Sequence, residues 1–243
     1  MIDLHSHILP ELDDGARSLE DSLAMARMAV DSGVTTMAAT PHCGSDRRKS
    51  VFAAWDLLRE ALEESGIPLD LYTGMEIFGT PDTPRLLREG RLLTLNDSRY
   101  PLIEFSFRSD GEEETRILER ICRDGFRPLV AHPERYSYVQ RNPRWVDRWV
   151  RMGCLIQVNR GSLFGRFGAS AQKMAVELVD RGIATLIASD AHGPRVRTTW
   201  MADVEKMLSA EFSTRCARTL LKKNPEKILN NEVIIPVNAE WFE

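Results

Sequence analysis

The chain holds five histidines, His5, His7, His42, His132 and His192, and each falls at or just past the C-terminal end of a segment that reads as a short buried strand. Acids follow the same rule: Asp13-Asp14 in the loop after the first segment, Glu76 closing the third, Glu104 in the fourth, and Asp190 two residues before His192. An H-x-H pair at a strand end turns two imidazoles to one side, because side chains alternate with a period of two. Taken alone, such a pair also fits a polar strand end satisfied by backbone and water. Five imidazoles and four carboxylates converging on one cavity are another matter, since their charges would be stranded without cations among them. Nine nitrogen and oxygen ligands exceed what one ion takes, so two or three divalent ions are implied, and ligands of this hardness suit Mn, Fe, Zn or Co. Ions about 3.5–4 Å apart hold both oxygens of an in-line displacement at phosphorus, which points to hydrolysis of a phosphate ester. Guanidinium forks would complete such a site by binding phosphate oxygens bidentately. Arg135 follows His132 by three residues, and Arg195 and Arg197 follow His192, although 26 of the 32 basic residues are arginine and most must be solvated surface.

Elements that bring distant residues together are legible in a repeated pattern of amphipathic segment, glycine and short apolar run. It recurs at Gly33, Gly66, Gly125, Gly153 and Gly182. With the segments near 2–5 and 101–105, it predicts seven strands, the others near 35–40, 69–75, 127–131, 155–159 and 184–188. Ser18 with Asp21 resembles a capping box for a helix over 19–32, Pro143 suits the first turn of one over 143–151, and Ser170 is placed to cap 171–181. Three terminal helices are predicted over 200–210, 213–222 and 225–230. Strands alternating with helices imply a mostly parallel α/β sheet. Seven such units in a short chain favour closure into a small (β/α) barrel over a doubly wound sheet. In either, ligands gather at the C-terminal strand ends, where the histidines and acids lie.

At 243 residues, with 43% hydrophobic and 28% charged residues and no linker-like stretch, the sequence reads as one globular domain over 1–243. No apolar stretch approaches the roughly 20 residues of a spanning helix. The start, Met1-Ile2-Asp3-Leu4-His5, shows no secretory signal, so a cytoplasmic location is expected. A formal net charge of -4 offers no general attraction to nucleic acid or anionic lipid. Cys43, Cys122, Cys154 and Cys216 form no C-x-x-C pair and fit reduced thiols.

Together these residues resemble the polymerase-and-histidinol-phosphatase (PHP) superfamily, and within it the manganese-dependent protein-tyrosine phosphatases of bacterial capsule and exopolysaccharide loci, the CpsB/CapC family. The resemblance spans nearly the whole chain: IDLHSHILPELDDGA at the start, ATPH ending at His42, GMEI around Glu76, LNDSRYPLIEF around Glu104, AHPERY from Ala131, QVNRGSLFGRFG from Gln157, SDAH ending at His192, and NPEKIL near the end. It implies a distorted seven-stranded (β/α) barrel with three metal ions. His5, His7, Glu76 and Asp190 would hold one, Glu76, Glu104 and His132 a second, and Asp14, His42 and His192 a third, with Asp13 the rival to Asp14. It also implies that Arg135 binds phosphate and that Arg197 is a second such arginine, though the Gly193-Pro194-Arg195 stretch departs from the longer loop of some members. The implied substrate is phosphotyrosine on protein, on the tyrosine-rich tail of a bacterial tyrosine kinase.

Four other readings compete. His42-Cys43 with Lys49-Ser50 nearly spells the H-C-x5-R-S loop of cysteine phosphatases, but lysine stands where the loop needs a planar fork. An amidohydrolase would bridge its metals with a lysine on a strand, and all six lysines fall in predicted loops or helices. A barrel reduced to a regulatory binding partner would have lost ligands, and none is lost. Within the superfamily, a histidinol-phosphate or nucleotide-ester phosphatase shares the same metal cage. Phe105, Phe107, Tyr136 and Tyr138 are candidates to stack on a phosphotyrosine ring and equally fit a core.

Overall fold

The protein is described here by a computed structural model covering residues 1–42 and 47–234. Cys43 and most of the loop that carries the H-C-x5-R-S likeness, and the tail ending Trp241-Phe242-Glu243, lie outside the described residues.

Among the described residues, eight parallel strands form two sheets. The first joins β1 (Ile2–Ser6), β2 (Thr36–Ala39) and β3 (Asp70–Thr73), and the second joins β4 (Glu76–Phe78), β5 (Leu102–Glu104), β6 (Leu129–Ala131), β7 (Leu155–Asn159) and β8 (Leu186–Ala188). This corrects the strand count, eight in place of the expected seven; among the described residues the two sheets do not close into one barrel. The segment expected as a single third strand breaks at Gly74-Met75, and Glu76 opens β4 instead of closing β3. Gly74 runs so close to its neighbours that a Cβ there would lie 3.0 Å from Leu95 Cδ2 and 3.1 Å from Thr40 Cγ2. Between the sheets the pairing is confined to isolated parallel bridges, Ser6 with Ala191 and His42 with Glu76.

Helices follow the strands as the glycine pattern predicts: α1 (Leu19–Asp31), α2 (Arg48–Glu64), α3 (Thr83–Arg88), α4 (Glu112–Arg123), α5 (Ser137–Arg141), α6 (Arg144–Arg151), α7 (Arg160–Leu163), α8 (Ala169–Asp180), α9 (Ala202–Glu211), α10 (Thr214–Arg218) and α11 (Asn224–Leu229). Ser18 caps α1 by accepting the backbone N–H of Asp21. The expected Ser170 cap is absent: α8 begins one residue earlier than Ser170, after Gly168, whose φ of 93° is a left-handed conformation open to glycine.

Two apolar layers flank the strands. An inner cluster, including Leu4, Leu102, Leu129, Leu155 and Leu186, is closed at the N-terminal strand ends by Ile228 and Leu229 of α11. A larger outer cluster packs the other strand faces against the helices. Along β7, Leu155 belongs to the inner cluster while Ile156 and Val158 belong to the outer one. The alternation therefore carries Gln157 and Asn159 inward, above the inner core. Cys122, Cys154 and Cys216 are free, as the spacing suggested, although Cys122 Sγ and Cys154 Sγ approach to 3.8 Å.

Candidate metal centre

All nine side chains singled out for metal meet at the C-terminal strand ends. His5 Nε2 and His7 Nε2 lie 3.4 Å apart, each 3.1 Å from Glu76 Oε2, and 3.4 and 3.6 Å from Asp190 Oδ1. These four groups are buried and close enough to share one ion. Glu76 faces a second group as well: His132 Nε2 is 2.8 Å from Glu76 Oε1 and 3.6 Å from Glu104 Oε1, and His42 Nδ1 is 3.4 Å from Glu76 Oε2 and 3.9 Å from Glu104 Oε2. His42, Glu76 and Glu104 form a ligand group of their own. The third group is His7, Asp14, His42 and His192, with Asp14 Oδ1 3.5 Å from His192 Nε2 and 3.9 Å from His42 Nε2.

Asp13 has separate work. Its Oδ2 lies 2.6 Å from His7 Nδ1 and accepts the backbone N–H of His42, and its Oδ1 accepts the N–H of Gly15. Gly15 is required by close approach, since a Cβ there would fall 2.2 Å from the His7 carbonyl oxygen. Of the acidic doublet, Asp14 thus joins the cluster while Asp13 orients an imidazole in it.

Two amides on β7 escaped the sequence reading. Gln157 Oε1 accepts the backbone N–H of His132 at 3.1 Å, which fixes the orientation of that amide, and the same oxygen lies 3.0 Å from His5 Nδ1. His5 Nδ1 therefore donates to Gln157, which leaves Nε2 as the atom able to ligate a cation among the carboxylates. The Gln157 amide N–H donates to Asn159 Oδ1, and Asn159 Nδ2 donates to Asp190 Oδ2 at 2.5 Å. Glu134 is fully buried behind them, accepting from Asn159 N and Ser162 Oγ, and burial pushes its carboxyl up to about 7. The only sequence signal for this layer was membership in the QVNRGSLFGRFG and AHPERY motifs.

Electrostatics reflect crowded charge. Burial opposes a charged His7, but Asp13 and Glu76 outweigh it and raise the imidazole to about 10. Burial and the neighbouring Glu76 raise Glu104 to about 7, while burial and His7 lower His192 to about 4. Glu76 stays well below the usual carboxylate range against its burial, because His5 and His132 face it.

Asp190 is the hub. Its Oδ2 accepts from Asn159, from Arg135 Nη1 at 3.2 Å and from Arg197 Nη2 at 2.5 Å. Its Oδ1 is buried, has no hydrogen-bond donor among the described residues, and faces the nitrogens of His5, His7 and His192 at 3.4–3.6 Å. A buried carboxylate oxygen surrounded by imidazole nitrogens and lacking a donor is satisfied by a cation, so the residues present fit divalent metal. Backbone strain collects here too: His132 and Asp190 have φ of 34° and 51°, and Arg197 50°, values rare outside glycine.

Both arginines reach the edge of the cluster. Arg195 lies exposed beside His192. Among the four aromatics considered for ring stacking, Phe105, Tyr136 and Tyr138 are buried, and Phe107 alone is open, at 37% exposure.

Comparisons with known proteins agree with this geometry. The family of capsular polysaccharide synthesis proteins CpsB/CapC matches residues 1–230. The tyrosine-protein phosphatase YwqE of Bacillus subtilis is 35% identical over 238 residues, covering 96% of this chain and 93% of its own. The tyrosine-protein phosphatase CpsB of Streptococcus pneumoniae is 32% identical over 247 residues, covering 96% of this chain and all (100%) of its own. Crystal structures of these two, presented as unique metal-dependent tyrosine phosphatases, supply a chain that superposes with a TM-score of 0.91 at 34% identity, over 99% of this chain and 100% of that one.

Proposed function

We propose a function from one premise, that this chain belongs to the CpsB/CapC family: it is a metal-dependent protein-tyrosine phosphatase. The observation that carries the reading is the convergence of nine imidazole and carboxylate groups, among them Asp190, whose Oδ1 has no donor among the described residues, with two guanidinium groups at the rim.

His5, His7, Glu76 and Asp190 would hold one ion, Glu76, Glu104 and His132, joined by His42, a second, and Asp14, His42 and His192 a third. Manganese is the proposed metal, with Fe, Zn or Co able to use the same donors. When bound, such ions neutralise phosphoryl charge and make water acidic enough to attack at neutral pH. Asp13 and Gln157 turn His7 and His5 so that each presents Nε2 to the cavity. Arg135 and Arg197, which in this structure lean on Asp190 Oδ2, bind the phosphoryl oxygens and stabilise the charge that develops on them. A phenolate leaving group, with a reference pKa of about 10, needs less protonation than an alkoxide, so the site can work without a strong general acid.

The biological substrate in this reading is the phosphorylated tyrosine-rich tail of a bacterial tyrosine kinase that controls capsule or exopolysaccharide synthesis. Location is cytoplasmic; no helix among the described residues is long and apolar enough to cross a membrane. The chain acts as a single domain over 1–243, and the two bridges between the sheets support a distorted barrel opened at two seams.

The test compares turnover of a phosphotyrosine peptide, histidinol phosphate and a nucleotide ester, with and without manganese. Hydrolysis of the peptide that chelator abolishes and manganese restores is the expected result. Preference for either of the other esters overturns the substrate assignment, and turnover that survives complete metal removal overturns the mechanism.

A further inference from the structure

The Arg135 guanidinium packs against two aromatic rings. Its Cζ sits 4.2 Å from the centre of the Phe167 ring and 4.6 Å from that of Phe107. Phe167 reaches Arg197 as well, with Cζ 5.8 Å from the ring centre. We infer that Phe167 is a positioning residue for phosphate recognition: it holds the Arg135 plane, against Phe107, with its N–H edge turned toward the metal centre, and it steadies Arg197 from the same ring. The inference rests on the function proposed above.

The platform beneath the ring is built for this. Gly161 is where Phe167 rests, since a Cβ at that position would meet Phe167 Cε2 at 2.8 Å. The segment carrying both residues is tied down at three points. Arg160, itself buried, grips Asp203 with Nε and Nη2; Ser162 Oγ donates to the buried Glu134; and Gln172 Nε2 donates to the Leu163 carbonyl at 3.0 Å. The ring is thereby anchored to α9, to the strand-end layer behind the metal centre and to α8. Arginine loses much rotamer freedom when it is fixed. A guanidinium already packed against two rings has surrendered part of that freedom before an anion arrives, while its N–H groups remain able to bind bidentately. Arg135 already spends one of them on Asp190 Oδ2, so the plane fixed by the rings contains the edge of the metal centre.

Inorganic phosphate, titrated calorimetrically into the manganese-loaded protein, is the probe. Phe167→Leu is expected to weaken phosphate binding about tenfold, to raise KM for a phosphotyrosine peptide more than it lowers kcat, and to leave bound metal at the wild-type level. Phe167→Tyr, which keeps the ring, should restore binding. Gly161→Ala, which leaves Phe167 in the sequence but fills its seat, should reproduce the defect. Phosphate affinity in Phe167→Leu equal to wild type overturns the inference, as does a fall in bound metal that accounts for the whole loss. Failure of the wild-type protein itself to bind phosphate would bring down the parent reading, and this one with it.

Discussion

The two ends of the parallel strands obey opposite rules. At the N-terminal ends, Leu4, Leu102, Leu129, Leu155 and Leu186 form an apolar plug sealed by α11. One to four residues further along the chain, His5, Glu104, His132, Asn159 and Asp190 crowd charged and polar groups together, all buried but for the partly exposed Glu104, and His132 and Asp190 bend the backbone into left-handed conformations. Burial stabilises the first end by removing apolar surface from water, about 25 cal/mol per Å². At the second end burial costs free energy that partners must offset. The contrast teaches that one end carries the stability and the other spends part of it on chemistry.

Breaking that division at its centre should have the largest effect. Asp190→Asn tolerates the left-handed backbone yet removes the charge; it is expected to lower peptide turnover by on the order of 10³, several kcal/mol of lost charge stabilisation, with bound manganese falling in parallel by elemental analysis. A change at the other end should separate the properties the other way: Leu102→Ala is expected to cost about 2–5 kcal/mol in denaturant unfolding while the folded fraction keeps its metal and its kcat. Arg135→Ala should leave metal content intact and lower kcat/KM by about 10²; full activity on a phosphotyrosine peptide would remove Arg135 from the phosphate clamp. Smallest is Asp13→Asn, expected to weaken manganese affinity about 10–100-fold through the freed His7 ring, read by competition with a metal-sensitive dye.

Much of the chemical end was legible from residue type. Histidine and acid at successive strand ends carry a signal because such residues are expensive to bury and rare there without a reason. Type alone could not divide labour within Asp13-Asp14, where two identical side chains one residue apart differ only in which way the loop turns them; Gly15, packed on His7, sets that turn. Gln157, Asn159 and Phe167 were invisible as single residues, since amides and phenylalanines are ordinary strand and loop components until their contacts are known. The fold was read well where apolar runs were continuous. It was misread at Gly74-Met75, because a crossing between sheets looks, in sequence, like the continuation of a strand.

The candidate ligands run from His5 to His192, and the end of β1 meets the segment after β8 through His7 N to Ala191 O and Asp190 N to His5 O. During synthesis, His5 and His7 are made some 180 residues before Asp190. The four-group pocket cannot close until the segment after β8 has been made, so a metal held by all four groups waits on the last strand of the second sheet.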